Sequence, residues 1–201
     1  MRVIAGKYRS RILKSLKGLA LRPTSDRLRE TLFNVLGDGV AGSRFLDLFA
    51  GTGAIGIEAL SRGAAEVVFV ENHAPAAALI RRNLESLEIR NGVNVLTADA
   101  LRGLETPASR QKGKMARYDY IFFDPPYSAA KEYARVLEFL GSAELLARDG
   151  MVIAEHRRSF DLPEKVGALK RFRILRQGDA ALSFYHCSVG EEAVAEEKGS
   201  A

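Results

Sequence analysis

Residues 47–56 read Asp-Leu-Phe-Ala-Gly-Thr-Gly-Ala-Ile-Gly, between a short apolar run, Phe45 to Phe49, and a helical pattern from Ala54 to Arg62. Gly51, Gly53 and Gly56 therefore fall in a turn from strand to helix. In that context their spacing lets the backbone approach a nucleoside, and the helix N-terminus attracts an anionic group. A chain that opens this way is constrained to a parallel α/β sheet, because each helix must pack back across the sheet before the next strand begins.

The alternation continues downstream. Val67 to Val70 is a β-branched and aromatic run ending at Glu71, and Pro75 suits the first turn of a helix reaching about Leu87. Val93 to Leu96 is a third strand ending near Asp99, Tyr118 to Phe123 a fourth, Ala129 to Leu140 a helix, and Met151 to Ala154 a fifth strand. Phe172 to Leu175 and Ala181 to His186 alternate around Gln177-Gly178-Asp179, which predicts a hairpin. The expected fold is Rossmann-like α/β: a mostly parallel seven-stranded sheet with an antiparallel C-terminal hairpin. Ahead of it, Arg2 to Ala5 and Arg9 to Leu13 pair across Gly6-Lys7, and a helix over Ser25 to Leu36, capped by Thr24 or Ser25, leads into the sheet. Three segments follow: a basic hairpin arm (1–24), the sheet domain (25–189) and a disordered acidic tail (190–201).

With 201 residues, 47% of them hydrophobic, the chain can bury one full core. Its single cysteine, Cys187, permits no internal disulfide and suits a reducing compartment. No stretch approaches the roughly 18 apolar residues of a membrane span. The N-terminal residues also lack the apolar region of a secretory signal. A soluble, cytoplasmic monomer is expected. His73, His156 and His186 are scattered and share no ligand spacing, so no metal is expected.

Charge is unevenly distributed. Residues 1–31 hold nine Lys or Arg against Asp26 and Glu30, a net +7, and residues 102–117 hold five against Glu105, a net +4. The whole chain is only +5, so the remainder carries −6. A basic arm and a basic loop on a mildly acidic body suit a polyanionic partner. Lys7, Arg9, Arg11, Arg22 and Arg27 are the candidates for backbone phosphates, while Arg27 and Arg29 also stand where they can pair with Asp26 or Glu30 on the helix surface.

Asp47 decides which nucleoside the glycine turn suits. A carboxylate four residues before Gly51 would repel a pyrophosphate but attract the positively charged amino group of a methionine moiety. Glu71 stands where a carboxylate can accept from both ribose hydroxyls, which fits NAD and S-adenosylmethionine equally. Asp99 can accept from an adenine amino group, or can cap the turn at Ala100.

The fourth strand runs into Asp124-Pro125-Pro126-Tyr127. An exocyclic base amine is a weak nucleophile because its lone pair is delocalised into the ring. Two acceptors, the Asp124 carboxylate and the Pro125 carbonyl, can hold its two N–H groups and turn the lone pair outward. Both also stabilise the positive charge that grows on nitrogen. Consecutive prolines fix the backbone that presents these oxygens, and Tyr127 offers a face for an extruded base. The motif suits guanine N2 and adenine N6 alike.

At this point the residues resemble a known family. Asp47 to Gly56 and Asp124 to Tyr127 resemble motifs I and IV of class I amino-methyltransferases. Arg2 to Gly6, Leu21 to Arg27 with Arg29 to Phe33, Gly56 to Ala64 and Gly178 to Tyr185 together resemble the bacterial 16S ribosomal RNA guanine-N2 methyltransferases of the small subunit. The resemblance implies a class I methyltransferase fold and methylation of a guanine N2 in 16S rRNA of an assembled or assembling subunit, with S-adenosylmethionine as donor. It implies that Asp47, Phe49, Gly51, Gly53, Glu71, Asn72, Asp99, Ala100 and Asp124 hold the cofactor. Asp124, Pro125, Pro126 and Tyr127 would hold the base, and the arm would hold RNA.

Other classes explain less. A DNA adenine-N6 methyltransferase needs a separate target reader, for which the 70 residues between Gly53 and Asp124 leave little room. A protein-glutamine methyltransferase has no use for a basic arm, and its motif usually begins with Asn. A NAD-dependent dehydrogenase accounts for the glycines and Glu71 but not for Asp47 or Asp-Pro-Pro-Tyr. A non-catalytic RNA-binding assembly factor on the same scaffold would have no need of Asp124 and Tyr127.

Overall fold

The computed structural model describes residues 1–15, 24–105, 110–111, 114–115, 117–126 and 130–188. In chain order the elements are α1 (Asp26–Leu36), a 3₁₀ turn (Gly37–Val40), β1 (Arg44–Leu48), α2 (Ala54–Ser61), β2 (Glu66–Glu71), α3 (Ala74–Ser86), β3 (Val93–Thr97), α4 (Ala100–Glu105), β4 (Arg110–Gln111), β5 (Lys114–Met115), β6 (Tyr118–Phe123), α5 (Ala130–Ser142), β7 (Leu146–Arg157), β8 (Lys165–Val166), β9 (Leu169–Gln177) and β10 (Ala180–Cys187).

The main sheet has the order β3-β2-β1-β6-β7-β10-β9-β8. Its first five strands are parallel, and β10, β9 and β8 are antiparallel. The sheet therefore has eight strands rather than the seven expected. The extra one, β8, is a two-residue edge piece too short to show alternation. Around Gln177-Gly178-Asp179 the expected hairpin forms, with Ala180 opposite Gln177 and Gly178 at a positive φ of 58°. A small separate pair, β4 with β5, spans part of the basic loop.

Side chains alternate between two cores. Phe45, Phe69, Phe122, Ile153 and Phe184 pack with Leu28, Phe33, Ile55 and Ile80 from the side of α1, α2 and α3. Leu46, Val68, Phe123, Ala154 and Tyr185 pack with Leu104, Tyr133 and Leu137 from the side of α4 and α5. Continuous apolar runs such as Val67 to Val70 are needed because both faces of the central strands are covered.

α1 starts where a cap predicts it: the Ser25 side chain accepts from the Leu28 N–H. Thr24 takes no part in the cap, since its hydroxyl donates to Glu155 at 2.6 Å. Arg29 pairs with Asp26 at 3.0 Å, but its side chain is wholly buried rather than on the helix surface.

The arm forms its hairpin with a wider turn than expected. Val3 N–H donates to Arg11 O, Ser10 N–H to Val3 O and Leu13 N–H to Met1 O. It lies flat on the domain, with Val3 and Leu13 in the α1-side core. The Glu58 carboxylate accepts from the N–H groups of Ile4 and Ala5, and Asn83 brackets Lys14 from both sides. Gly6 is required where the arm meets α2: its φ is +81°, and a Cβ there would sit 1.8 Å from Ser61 O. The expected tail (190–201), Arg22 and Tyr127 lie outside the described residues.

Candidate active site

Strand order defines where a ligand can sit. From β1 the chain winds outward through β2 to β3, and from β6 it winds the other way to β7. β1 and β6 therefore flank the topological switch point, and ligands of open α/β sheets bind beyond the carboxyl ends of the strands at that point. Leu48 of β1 is in register with Phe123 of β6. The glycine turn and the Asp124-Pro125-Pro126 segment thus leave the same end of the sheet side by side.

The turn is held from below. Asp47 sits in the sheet with 1% of its surface exposed, and one carboxylate oxygen accepts from Gly56 N–H at 2.9 Å. Burial raises its pKa to about 7, with the Gly56 N–H opposing and Glu71 adding to the rise. Glu71, at the end of β2, accepts from Gly51 N–H and His73 N–H, both at 2.8 Å. Its carboxylate pins the turn to the β2 terminus, and each oxygen keeps a further lone pair for a hydroxyl donor. Phe49 turns the chain at a φ of +59°, rare for a side-chain-bearing residue.

The glycines divide by what surrounds them. Gly51 has a φ of +55°, and a Cβ added there would meet only Phe49 O at 3.9 Å, so it faces open space. At Gly56 a Cβ would lie 2.3 Å from the Phe69 ring, so this glycine allows α2 to approach β2. An open-faced Gly51 beside a carboxylate is the cradle that a nucleoside cofactor needs.

Asn72, Asp99, Ala100 and the Asp124 segment follow the carboxyl ends of β2, β3 and β6 and so share that end, whereas the arm's tip does not: Lys7 N–H donates to Ser61 O, at the far end of α2. Asn72 and Asp99 are exposed, and Ala100 is buried. The Asp99 carboxylate accepts from Arg102 N–H at 3.1 Å, which is the capping role at the start of α4. Asp124 is partly exposed, Pro125 buried and Pro126 exposed. Lys7, Arg9, Arg11 and Arg27 are all exposed on the surface, although Arg11 also donates to Ser86 O at 3.2 Å.

Two features escape a reading of the sequence, and a third was passed over. Glu58 holds the arm, yet it looks like an ordinary helix-surface residue. Glu155 lies 4% exposed at the end of β7, next to the site. The third was legible: Lys165, Lys170, Arg171, Arg173 and Arg176 form a basic stretch with no acidic residue among them, diluted in the remainder's net charge. Arg171 is largely internal, bonded to Leu162 O and Asp161, whereas Lys170, Arg173 and Arg176 are exposed. His156 is a core residue, with Nε2 on Ser183 Oγ and Nδ1 near Arg157 O, each at 2.9 Å. Among the described residues no cluster of three His, Cys, Asp or Glu is placed to hold a metal, and no helix is long and apolar enough to cross a membrane.

Residues 1–186 match the family described as "Conserved hypothetical protein 95". The putative rRNA methyltransferase YlbH of Bacillus subtilis is 40% identical over 92% of this chain and 98% of its own length. Ribosomal RNA small subunit methyltransferase D of Escherichia coli is 35% identical, over 81% of this chain and 78% of its own. Among solved structures, the putative methyltransferase yhhF from Escherichia coli superposes with a TM-score of 0.78 at 32% identity, covering 93% of this chain and 97% of that one. With a class I methyltransferase sheet, an open-faced glycine turn at its switch point and these matches along nearly its whole length, the chain belongs to the family of the bacterial small-subunit ribosomal RNA methyltransferases D.

Proposed function

We propose that this protein transfers a methyl group from S-adenosylmethionine to the exocyclic N2 of a guanine in 16S rRNA of the small ribosomal subunit. The observation that carries the reading is the register of Leu48 with Phe123, which brings an open-faced glycine turn against an Asp-Pro-Pro segment. The family supports an rRNA substrate, since its named members are rRNA methyltransferases.

When bound, S-adenosylmethionine supplies an electrophilic methyl on a sulfonium, and the electron pair of the broken C–S bond leaves with sulfur. The residues of the chain hold both partners. Gly51 would admit the nucleoside, while Gly53, whose missing side chain makes room for Ile80 and Phe69, would shape the turn, with Phe49, Asn72 and Ala100 around the cofactor. Glu71 would accept from the ribose hydroxyls and Asp99 from the adenine amine, while Asp47, buried beneath the turn, would attract the amino end from below. Asp124 and the Pro125 carbonyl accept the two N–H groups of the target amine, directing its lone pair at the methyl. After methyl transfer the nitrogen would bear the positive charge, and the Asp124 carboxylate that holds one N–H group would take that proton and pass it to water. Pro126 stiffens the segment and Tyr127 stacks on the base. Lys7, Arg9, Arg11, Arg22 and Arg27 hold the RNA backbone.

The test is to incubate the protein with labelled S-adenosylmethionine and small subunits lacking this modification, with Asp124→Ala as control, and to digest the RNA to nucleosides. Label in N2-methylguanosine, lost in the variant, supports the reading. Label in another nucleoside overturns the base assignment, and no label on any RNA overturns the reaction.

A further inference from the structure

Glu155 has no part in the scheme above, yet it is the nearest strand-borne carboxylate to the base-holding segment. β6 and β7 are parallel neighbours with Phe123 in register with Ala154. One residue further along each chain stand Asp124 and Glu155, so their backbones are about one inter-strand spacing, ~5 Å, apart. The alternation that puts Phe122 and Ile153 in the α1-side core carries both acidic residues to that same face. Glu155 also pairs in register with Leu182, another member of that core.

Its environment is built rather than incidental. The side chain is 4% exposed, and Thr24 Oγ1 donates to Oε2 at 2.6 Å. Thr24 lies 131 residues away, just ahead of α1, and leaves the capping of that helix to Ser25. A hydroxyl spent on orienting a buried carboxylate beside a base-holding motif points to a carboxylate with a task there.

We propose that Glu155 is the specificity residue that makes this site take guanine: its carboxylate accepts the guanine N1–H while Asp124 and Pro125 hold the N2 amine. The inference rests on the function proposed above. The chemistry follows from the base edges. Guanine presents N1–H beside its N2 amine, two donors in a row, whereas adenine presents a bare N1 acceptor beside its N6 amine. An ionised carboxylate is acceptor-only. It therefore matches guanine and opposes adenine with one group. Because Glu155 is out of water, a mismatched base leaves a buried charge facing a lone pair, the kind of mismatch that discriminates strongly. Asp124 alone cannot make this distinction, since both bases offer an exocyclic amine.

The test uses 2,6-diaminopurine, which keeps the N2 amine but replaces N1–H with an acceptor nitrogen. Small subunits reconstituted with 16S rRNA ligated to carry guanine or 2,6-diaminopurine at the target are compared by kcat/KM. For the wild type, at least about a tenfold preference for guanine is expected. In Glu155→Gln, whose amide can accept or donate, the preference should narrow to within roughly threefold, with cofactor affinity unchanged as the check on folding. Equal use of both bases by the wild type overturns the proposal without recourse to any variant. So does an active Glu155→Gln that keeps the full preference. If the wild type makes no N2-methylguanosine even on the guanine subunit, the underlying function reading falls instead, which separates the two failures.

Discussion

Arg29 Nε lies 3.9 Å from Glu58 Oε2, and both side chains are completely excluded from water. Glu58 also accepts from Arg62 Nε at 2.9 Å and from the backbone of Ile4 and Ala5. Burial lowers the Arg29 pKa while Asp26 and Glu58 oppose that shift, and among the described residues its Nε and Nη1 have no hydrogen-bond partner. Glu58 thus shares a buried guanidinium with Asp26 and also fastens the arm. Glu58→Ala should destabilise the protein by about 2–5 kcal/mol, because it strands two arm N–H groups and leaves Asp26 as the remaining partner of the buried Arg29. Urea denaturation of the two proteins measures this, and a cost below about 1 kcal/mol would show that the network is dispensable.

Asp47 makes stability depend on pH in an unusual direction for an acid. Its folded pKa, raised to about 7 by burial, lies above the ordinary carboxylate value, so the native state holds a proton that the unfolded chain has lost. The contribution is fully present below about pH 4 and is lost as pH rises through 7. Asp47→Asn carries no such proton. The stability difference between wild type and variant should therefore shift against the wild type by an amount on the order of a few kcal/mol between pH 4 and 7. Denaturation midpoints across that range test it, and a flat difference would refute the assigned shift.

The two glycines should fail differently. Gly56→Ala drives a methyl into Phe69 and should cost about 1–3 kcal/mol of stability. Gly51→Ala meets open space, so its stability loss should be only the roughly 1–2 kcal/mol of a left-handed residue, while cofactor affinity falls at least tenfold. Calorimetry of unfolding and of S-adenosylmethionine binding separates the two effects.

Asp124→Ala should lower kcat on small subunits by roughly 10²–10³-fold, as expected for removing one acceptor preorganised for the transition state. Single-turnover rates at saturating cofactor are the direct measure. A fall in RNA affinity with unchanged kcat would move Asp124 from chemistry to binding.

Neutralising Lys7, Arg9 and Arg11 together should weaken RNA binding and reduce the slope of log affinity against log salt by about 2–3. The arm is anchored mainly through backbone groups, so these side chains can be changed without undocking it, at the loss of only the exposed Arg11 bond to Ser86 O. An unchanged slope would transfer the RNA contact elsewhere, with exposed Lys170, Arg173 and Arg176 the first alternatives.

The alternation of strands and helices, the glycine turn, the terminal hairpin and the Ser25 cap were legible because each is set by neighbours within a few residues: a period of two or 3.6, a turn chemistry, a side chain reaching its own backbone. A parallel sheet with right-handed crossovers also puts the two motifs at one end, but that their strands are neighbours came only from the strand order. Tertiary structure alone decided the rest. Glu58 reaches residues 53 and 54 positions away, Thr24 reaches Glu155 across 131, and Asp47, read from the sequence as a partner for an amino group, is buried beneath the turn with its carboxylate on Gly56 N–H. Nothing local marks these carboxylates, because their desolvation and their partners come into being only when distant segments close over them and exclude water.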